Sequence, residues 1–78
     1  MVEIEVFVQK NCGLCTDIEK KIKKLQKNGE LKCPVRFIDL NKNEKLFDKK
    51  KIVGTPTIFV DGKEVNFDEM IRKCEGNI

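Results

Sequence analysis

At 78 residues, 40% of them hydrophobic and 37% charged, the chain makes one small domain, residues 1–78, with no room for a second. Its formal net charge of +3 comes from 16 Lys and Arg against 13 Asp and Glu, too evenly mixed for the one-sided basic face that nucleic-acid binding requires. No stretch approaches the roughly 20 apolar residues that span a bilayer, so neither a membrane nor a nucleic acid is expected as a partner.

A chain this short buries only about 60% of its unfolded surface. A disulfide, a metal or very regular packing then helps it fold. The start, "MVEIEVFVQ", carries Glu3 and Glu5 where a secretory signal would be positive, and its apolar residues alternate. The expected location is therefore a reducing cytoplasm. Four cysteines in that setting point to redox chemistry or metal rather than to a disulfide framework.

Residues 2–8, "VEIEVFV", place Val2, Ile4, Val6 and Val8 on one face, the alternation of a strand. Phe7 makes the end of that strand apolar on both faces, as in a central strand. Asn11 is the expected cap of the next helix, with Asp17 and Glu19 in its early turns. The helical stripe is Cys15, Ile18, Ile22 and Leu25, and Asn28-Gly29 ends it. "PVRFIDL", residues 34–40, reads as a second strand. "NKNEKLFDKKK" reads as a short helix capped by Asn41 or Asn43, with Leu46 and Phe47 turned inward. Residues 57–60, "TIFV", form a third strand. Asp61-Gly62 makes a tight hairpin turn into a fourth strand, Lys63 to Val65. Asn66 with Glu69 resembles a capping box, opening a last helix along Phe67, Met70, Ile71 and Cys74 that Gly76 stops. The order β-α-β-α-β-β-α predicts an α/β fold. Its first β-α-β is a right-handed crossover, and its mixed four-stranded sheet is flanked by three helices.

The chemistry centres on "NCGLC". Placed at the first turn of a helix, Cys12 meets unpaired N–H groups and the positive end of the helix dipole. Both stabilise a thiolate, so its pKa is expected below the free value of about 8.5. Three residues on, the helix has turned about 300°, which brings Cys15 within bonding reach while it points to the apolar stripe. An exposed nucleophile and a sheltered resolving thiol are the two parts of disulfide exchange. The same pair could instead be half of a metal or iron-sulfur site, or two structural thiols. A tetrahedral zinc needs four ligands, and with no histidine Cys33 and Cys74 would have to complete it. Cys74, on an apolar helix face, reads as an ordinary core thiol, and Cys33, beside Pro34, as an incidental one. A structural Cys33–Cys74 disulfide stays open as an alternative, though nothing in the sequence supports it.

In "IVGTPTIFV", Pro56 opens a strand, a place where its missing donor is tolerated. A cis Thr55–Pro56 bond would turn the Thr55 backbone outward to pair with an extended substrate.

The two motifs together, "NCGLC" after the first strand and "GTPTIFVDG" after the second helix, resemble the thioredoxin superfamily over nearly the whole chain. The small glutaredoxin-like and thioredoxin-like redox-active disulfide proteins are the best match. That resemblance implies a thioredoxin fold and a cis-proline at Pro56 packed against the cysteine pair. It implies Thr55 against the substrate backbone, Cys12 as nucleophile and Cys15 as resolving thiol. Departures are local. Asn11 stands where thioredoxins carry tryptophan, Gly13 and Leu14 fill the loop between the cysteines, and Val6 stands where thioredoxins bury an aspartate. "VNFDEM" lacks the glycine pair by which glutaredoxins grip glutathione. Lys10, Gly13 and Leu14 are further candidate substrate contacts, and Lys49 to Lys51 read as a charged helix end.

The expected function is that of a protein-disulfide reductase, a glutaredoxin-like dithiol electron carrier. It acts as a monomer on a disulfide-containing protein with no bound cofactor. Glutathione or a thioredoxin-reductase-type enzyme restores it. The alternatives are a metal- or cluster-binding protein of the same fold, or a non-catalytic interaction module.

Overall fold

The computed structural model describes residues 2–76, and its spine is β1 (Ile4–Val8). Ile4, Val6 and Val8 are buried on one face and Phe7 on the other. A strand apolar on both sides belongs in the middle of a sheet. β1 accordingly pairs in parallel with β2 (Val35–Asp39) and antiparallel with β3 (Thr57–Val60). β4 (Lys63–Val65) pairs antiparallel with β3, giving the order β2-β1-β3-β4. Between the strands lie α1 (Gly13–Lys27), a 3-10 turn (Leu40–Lys42) and α2 (Glu44–Lys49), and α3 (Phe67–Glu75) follows β4. The architecture is the expected mixed four-stranded sheet with three α-helices.

Two cores hold the layers together. On one side Ile4, Val6, Val8, Ile58 and Val60 of the sheet pack with Cys15 and Ile22 of α1 and Met70 and Cys74 of α3. On the other, Phe7, Ile38 and Phe59 pack with Phe47 of α2, and Leu46 lies at the margin. The Phe7 ring meets Phe47 and Phe59 edge-on, with centroids 5.0 and 5.4 Å away. Such pairs contribute about 0.5–1.5 kcal/mol each beyond area burial.

The start of α1 differs from the expectation. Its cap is Cys12 (φ −104°, ψ 105°), not Asn11, and its first turn holds no acidic residue. Asn11 instead takes a left-handed conformation, φ 57°. Unbranched Asn tolerates that region, so it makes the bend out of the strand, and the next residue becomes the half-in position of the helix. The other end matches, with Asn28 as C-cap and Gly29 left-handed at φ 76°.

Asp61 (φ 50°) and Gly62 (φ 84°) give the β3–β4 turn the double positive φ of a type I′ hairpin. Asp61 also fastens that hairpin to β1. Its N–H donates to the Glu3 carbonyl and its Oδ1 accepts from the Glu3 N–H, both at 2.9 Å. Asn66 caps α3, its Oδ1 accepting from the Glu69 N–H at 2.8 Å. Asn43 precedes α2 without a side-chain cap bond, and its Nδ2 donates to the Asp39 carbonyl instead.

Cys33 and Cys74 are neither an incidental nor an ordinary core thiol, for they form a disulfide, with Cα atoms 6.0 Å apart. Cys33 lies two residues before Val35, which pairs with Ile4 at the start of β1. The far end of α3 packs into the same core and delivers Cys74 there. Closing a 41-residue separation corresponds to about 4 kcal/mol in the chain-entropy account, a large share for so small a core.

Candidate active site

β1 runs toward the bend at Asn11, so the chain leaves the sheet at the carboxyl end of its central strand and enters α1 there. Cys12 and Cys15 are joined as a disulfide, with Cα atoms 5.2 Å apart. They differ in exposure. Cys12 is half-buried, whereas Cys15 is only 3% exposed and belongs to the core beneath α1. The first helical turn explains this split, since Cys15 falls on the inward stripe with Ile18 and Ile22 and Cys12 stays at the helix mouth.

As cap, Cys12 does with sulfur what Ser or Asp usually does with oxygen. Its Sγ accepts from the Cys15 N–H at 3.1 Å, and its carbonyl accepts from both the Thr16 N–H (3.1 Å) and the Thr16 hydroxyl (3.2 Å). The Sγ has a second neighbour from a distant loop. The Thr55 hydroxyl donates toward it at 3.7 Å, and the Thr55 carbonyl lies 3.8 Å away, within reach of the S–H of the reduced thiol. The backbone donor, the hydroxyl donor and the helix dipole all favour negative charge on this sulfur.

The Thr55–Pro56 peptide bond is cis, and both residues are half-buried, with Thr55 beside Cys12 Sγ. Pro56 lines a groove of about 290 Å³ with Leu14, Asp17, Ile18, Lys21 and Phe67. Leu14, 69% exposed, and Val53, 102% exposed, are the large hydrophobic residues left open to solvent among those described. Leu14 lies between the two cysteines and Val53 just before Gly54-Thr55. One exposed apolar side chain thus stands in the first turn of α1 and the other in the loop that leads to Thr55.

Gly13 and Lys10 are exposed, and no contact of either with the sulfurs is present among the described residues. Lys49 and Lys50 end α2, and the Lys50 ammonium sits 4.9 Å from the Phe59 ring centroid. Lys51 follows in a left-handed conformation, φ 55°. Val6 is wholly buried, and among the described residues no polar or charged side chain is buried at all. The surroundings of Cys15 are therefore apolar. No group of three or more His, Cys, Asp or Glu residues that could hold a metal is found among the described residues.

Residues 2–67 match the family model described as a thioredoxin domain. The chain belongs to the thioredoxin family. Its fold is shared with a thioredoxin variant from Halobacterium salinarum, 25% identical with a TM-score of 0.71, over 96% of this chain and 73% of that one. It is also similar to thioredoxin 1 of Thermosipho africanus (23% identical, TM-score 0.70, 96% of this chain and 92% of that one). The reduced thioredoxin of Schistosoma mansoni is 23% identical with a TM-score of 0.75, over 94% of this chain and 78% of that one. No curated protein matches the chain in sequence. With the family shown, Cys12–Cys15 is a thioredoxin-type redox disulfide at the head of α1, and the chemistry open to it is thiol-disulfide exchange. The second disulfide is the feature that sequence reasoning missed. Its only sequence signals are a loop cysteine beside Pro34 and a cysteine on an apolar helix face, which carry no information about each other.

Proposed function

We propose that the protein reduces disulfides in protein substrates as a glutaredoxin-sized, thioredoxin-like electron carrier. In the reduced form the Cys12 thiolate attacks one sulfur of a substrate disulfide, forming a mixed disulfide and releasing a substrate thiolate. The Cys15 thiol then loses its proton and attacks Cys12 Sγ. The Cys12–Cys15 bond forms, the mixed disulfide breaks, and the second substrate thiolate departs. Both substrate thiolates take protons from water. An external dithiol reductase, or two molecules of glutathione, returns the two electrons. A reducing compartment such as the cytoplasm lets this cycle run in the reducing direction.

The observation that carries this reading is the contrast within the pair. Cys12 Sγ is at the helix mouth under three polar contacts, and Cys15 lies 3% exposed behind it. Protein substrates are favoured by the exposed Leu14 and Val53 flanking the site and by the Thr55 backbone, which offers an extended chain a place to pair. Lys10 and Gly13 border that approach. The chain acts alone, with no bound cofactor. A reductase is favoured over glutathione as donor because the passage from β4 into α3, "VNFDEM", has no glycine pair.

Insulin reduction by the purified protein tests the reading. Cys12→Ser abolishes turnover, while Cys15→Ser accumulates mixed disulfides visible on non-reducing gels. Equal residual activity in the two variants contradicts the assigned roles.

A further inference from the structure

The molecule carries a second disulfide for which the exchange cycle has no use. Cys33 is 7% and Cys74 1% exposed, and both sit in the apolar core beneath α1 and α3. Their position opposes that of the redox pair. Cys33 precedes β2, whose first residue is in register with Ile4, whereas Cys12 follows the other end of β1. Five residues of strand put about 13 Å between those ends, so the half-exposed Cys12 sits at the opposite end of β1 from the second pair. Exchange requires a thiolate to approach a disulfide sulfur directly, and the enclosing side chains deny that approach.

We propose that Cys33–Cys74 is a scaffold disulfide that stays closed while Cys12–Cys15 is reduced and reoxidised, so that one small domain holds two disulfides of opposite reactivity. It pins the far end of α3, and α3 begins at Phe67, a wall of the groove beside Pro56 and Leu14. The staple therefore holds one side of the substrate groove without touching the reacting sulfurs. Opening it would take the reductant's two electrons and two protons to give two thiols, and this happens only when α3 lifts from the core.

The inference rests on Cys12–Cys15 being the exchanging couple, and one experiment reads the two pairs separately. The air-oxidised protein is first alkylated in guanidinium without reductant, and no label is expected on any cysteine. Free thiols at Cys33 and Cys74 overturn the proposal. The native protein is then treated with excess dithiothreitol, alkylated and mapped by mass spectrometry. The expected result is label on Cys12 and Cys15 alone, with Cys33 and Cys74 labelled at least a hundredfold more slowly until guanidinium is added. Comparable labelling of all four cysteines overturns the scaffold assignment. Failure to label Cys12 and Cys15 counts against the exchange reading instead. The Cys33→Ala/Cys74→Ala variant supplies an independent readout, with a Tm lowered by at least 10 °C. An unchanged Tm overturns the stapling role.

Discussion

The hydroxyl of Thr55 reaches to 3.7 Å from Cys12 Sγ across 43 residues of sequence. It is the one side-chain donor, among the described residues, that the structure brings to the Cys12 sulfur. The other donor there, the Cys15 N–H, is a backbone group that no side-chain substitution removes.

Replacing Thr55 by Val keeps the shape and deletes the donor. A hydrogen bond to a charged acceptor is worth about 1.5–3 kcal/mol when well formed, and this one is long, so roughly 1 kcal/mol is at stake. The stabilised form is the thiolate, so its loss moves the Cys12 acidity toward the free thiol value of about 8.5. The pH dependence of iodoacetamide labelling of the reduced protein measures it. The midpoint is expected to move upward in Thr55→Val relative to the wild type. A wild-type midpoint at or above the free value would remove the physical basis for assigning Cys12 as nucleophile.

Leu14 and Val53 are exposed enough that changing them leaves the fold alone, with surface substitutions typically within about 0.5 kcal/mol. Leu14→Asp and Val53→Asp are each expected to slow reduction of a protein disulfide several-fold. The loss should be smaller for a small aromatic disulfide, which needs less docking surface. Stopped-flow rates on the two substrate types decide the matter. Equal losses on both would mean that these side chains do not serve macromolecular docking.

Asn43 and Asn66 stand at the N-cap positions of α2 and α3, and they are expected to behave differently. Asn66→Ala removes the acceptor of the Glu69 N–H and costs about 1 kcal/mol, a Tm drop of roughly 4–8 °C for a domain of this size. Asn43 makes no cap bond to α2, so Asn43→Ala loses only its Nδ2 contact with the Asp39 carbonyl and is expected to cost less. Thermal melts of the two variants side by side make the comparison.

Much of this molecule was legible because its local signals agree with one another. Alternation in "VEIEVFV" with the extra Phe7 placed β1 at the centre of the sheet, and Asp61-Gly62 specified a hairpin whose two residues do take positive φ. The α1 cap was misread by one residue. Asn is the commoner cap, and only the course of the chain out of β1 shows that it serves here as the left-handed bend. The family resemblance rested on two motifs, and the cysteine pair of one and Thr55-Pro56 of the other meet near the carboxyl end of β1 once the chain is folded.

What the sequence by itself determined is the set of elements, their order, and a cysteine pair one helical turn apart. Those are properties of neighbours along the chain, encoded in period, turn chemistry and spacing. What only the tertiary structure decided is which distant groups meet: Thr55 over Cys12, Asp61 on Glu3, and Cys33 bonded to Cys74. Each of these contacts depends on how the sheet and helices pack. A cysteine in a loop and another on an apolar helix face look alike whether or not folding brings them within 6.0 Å.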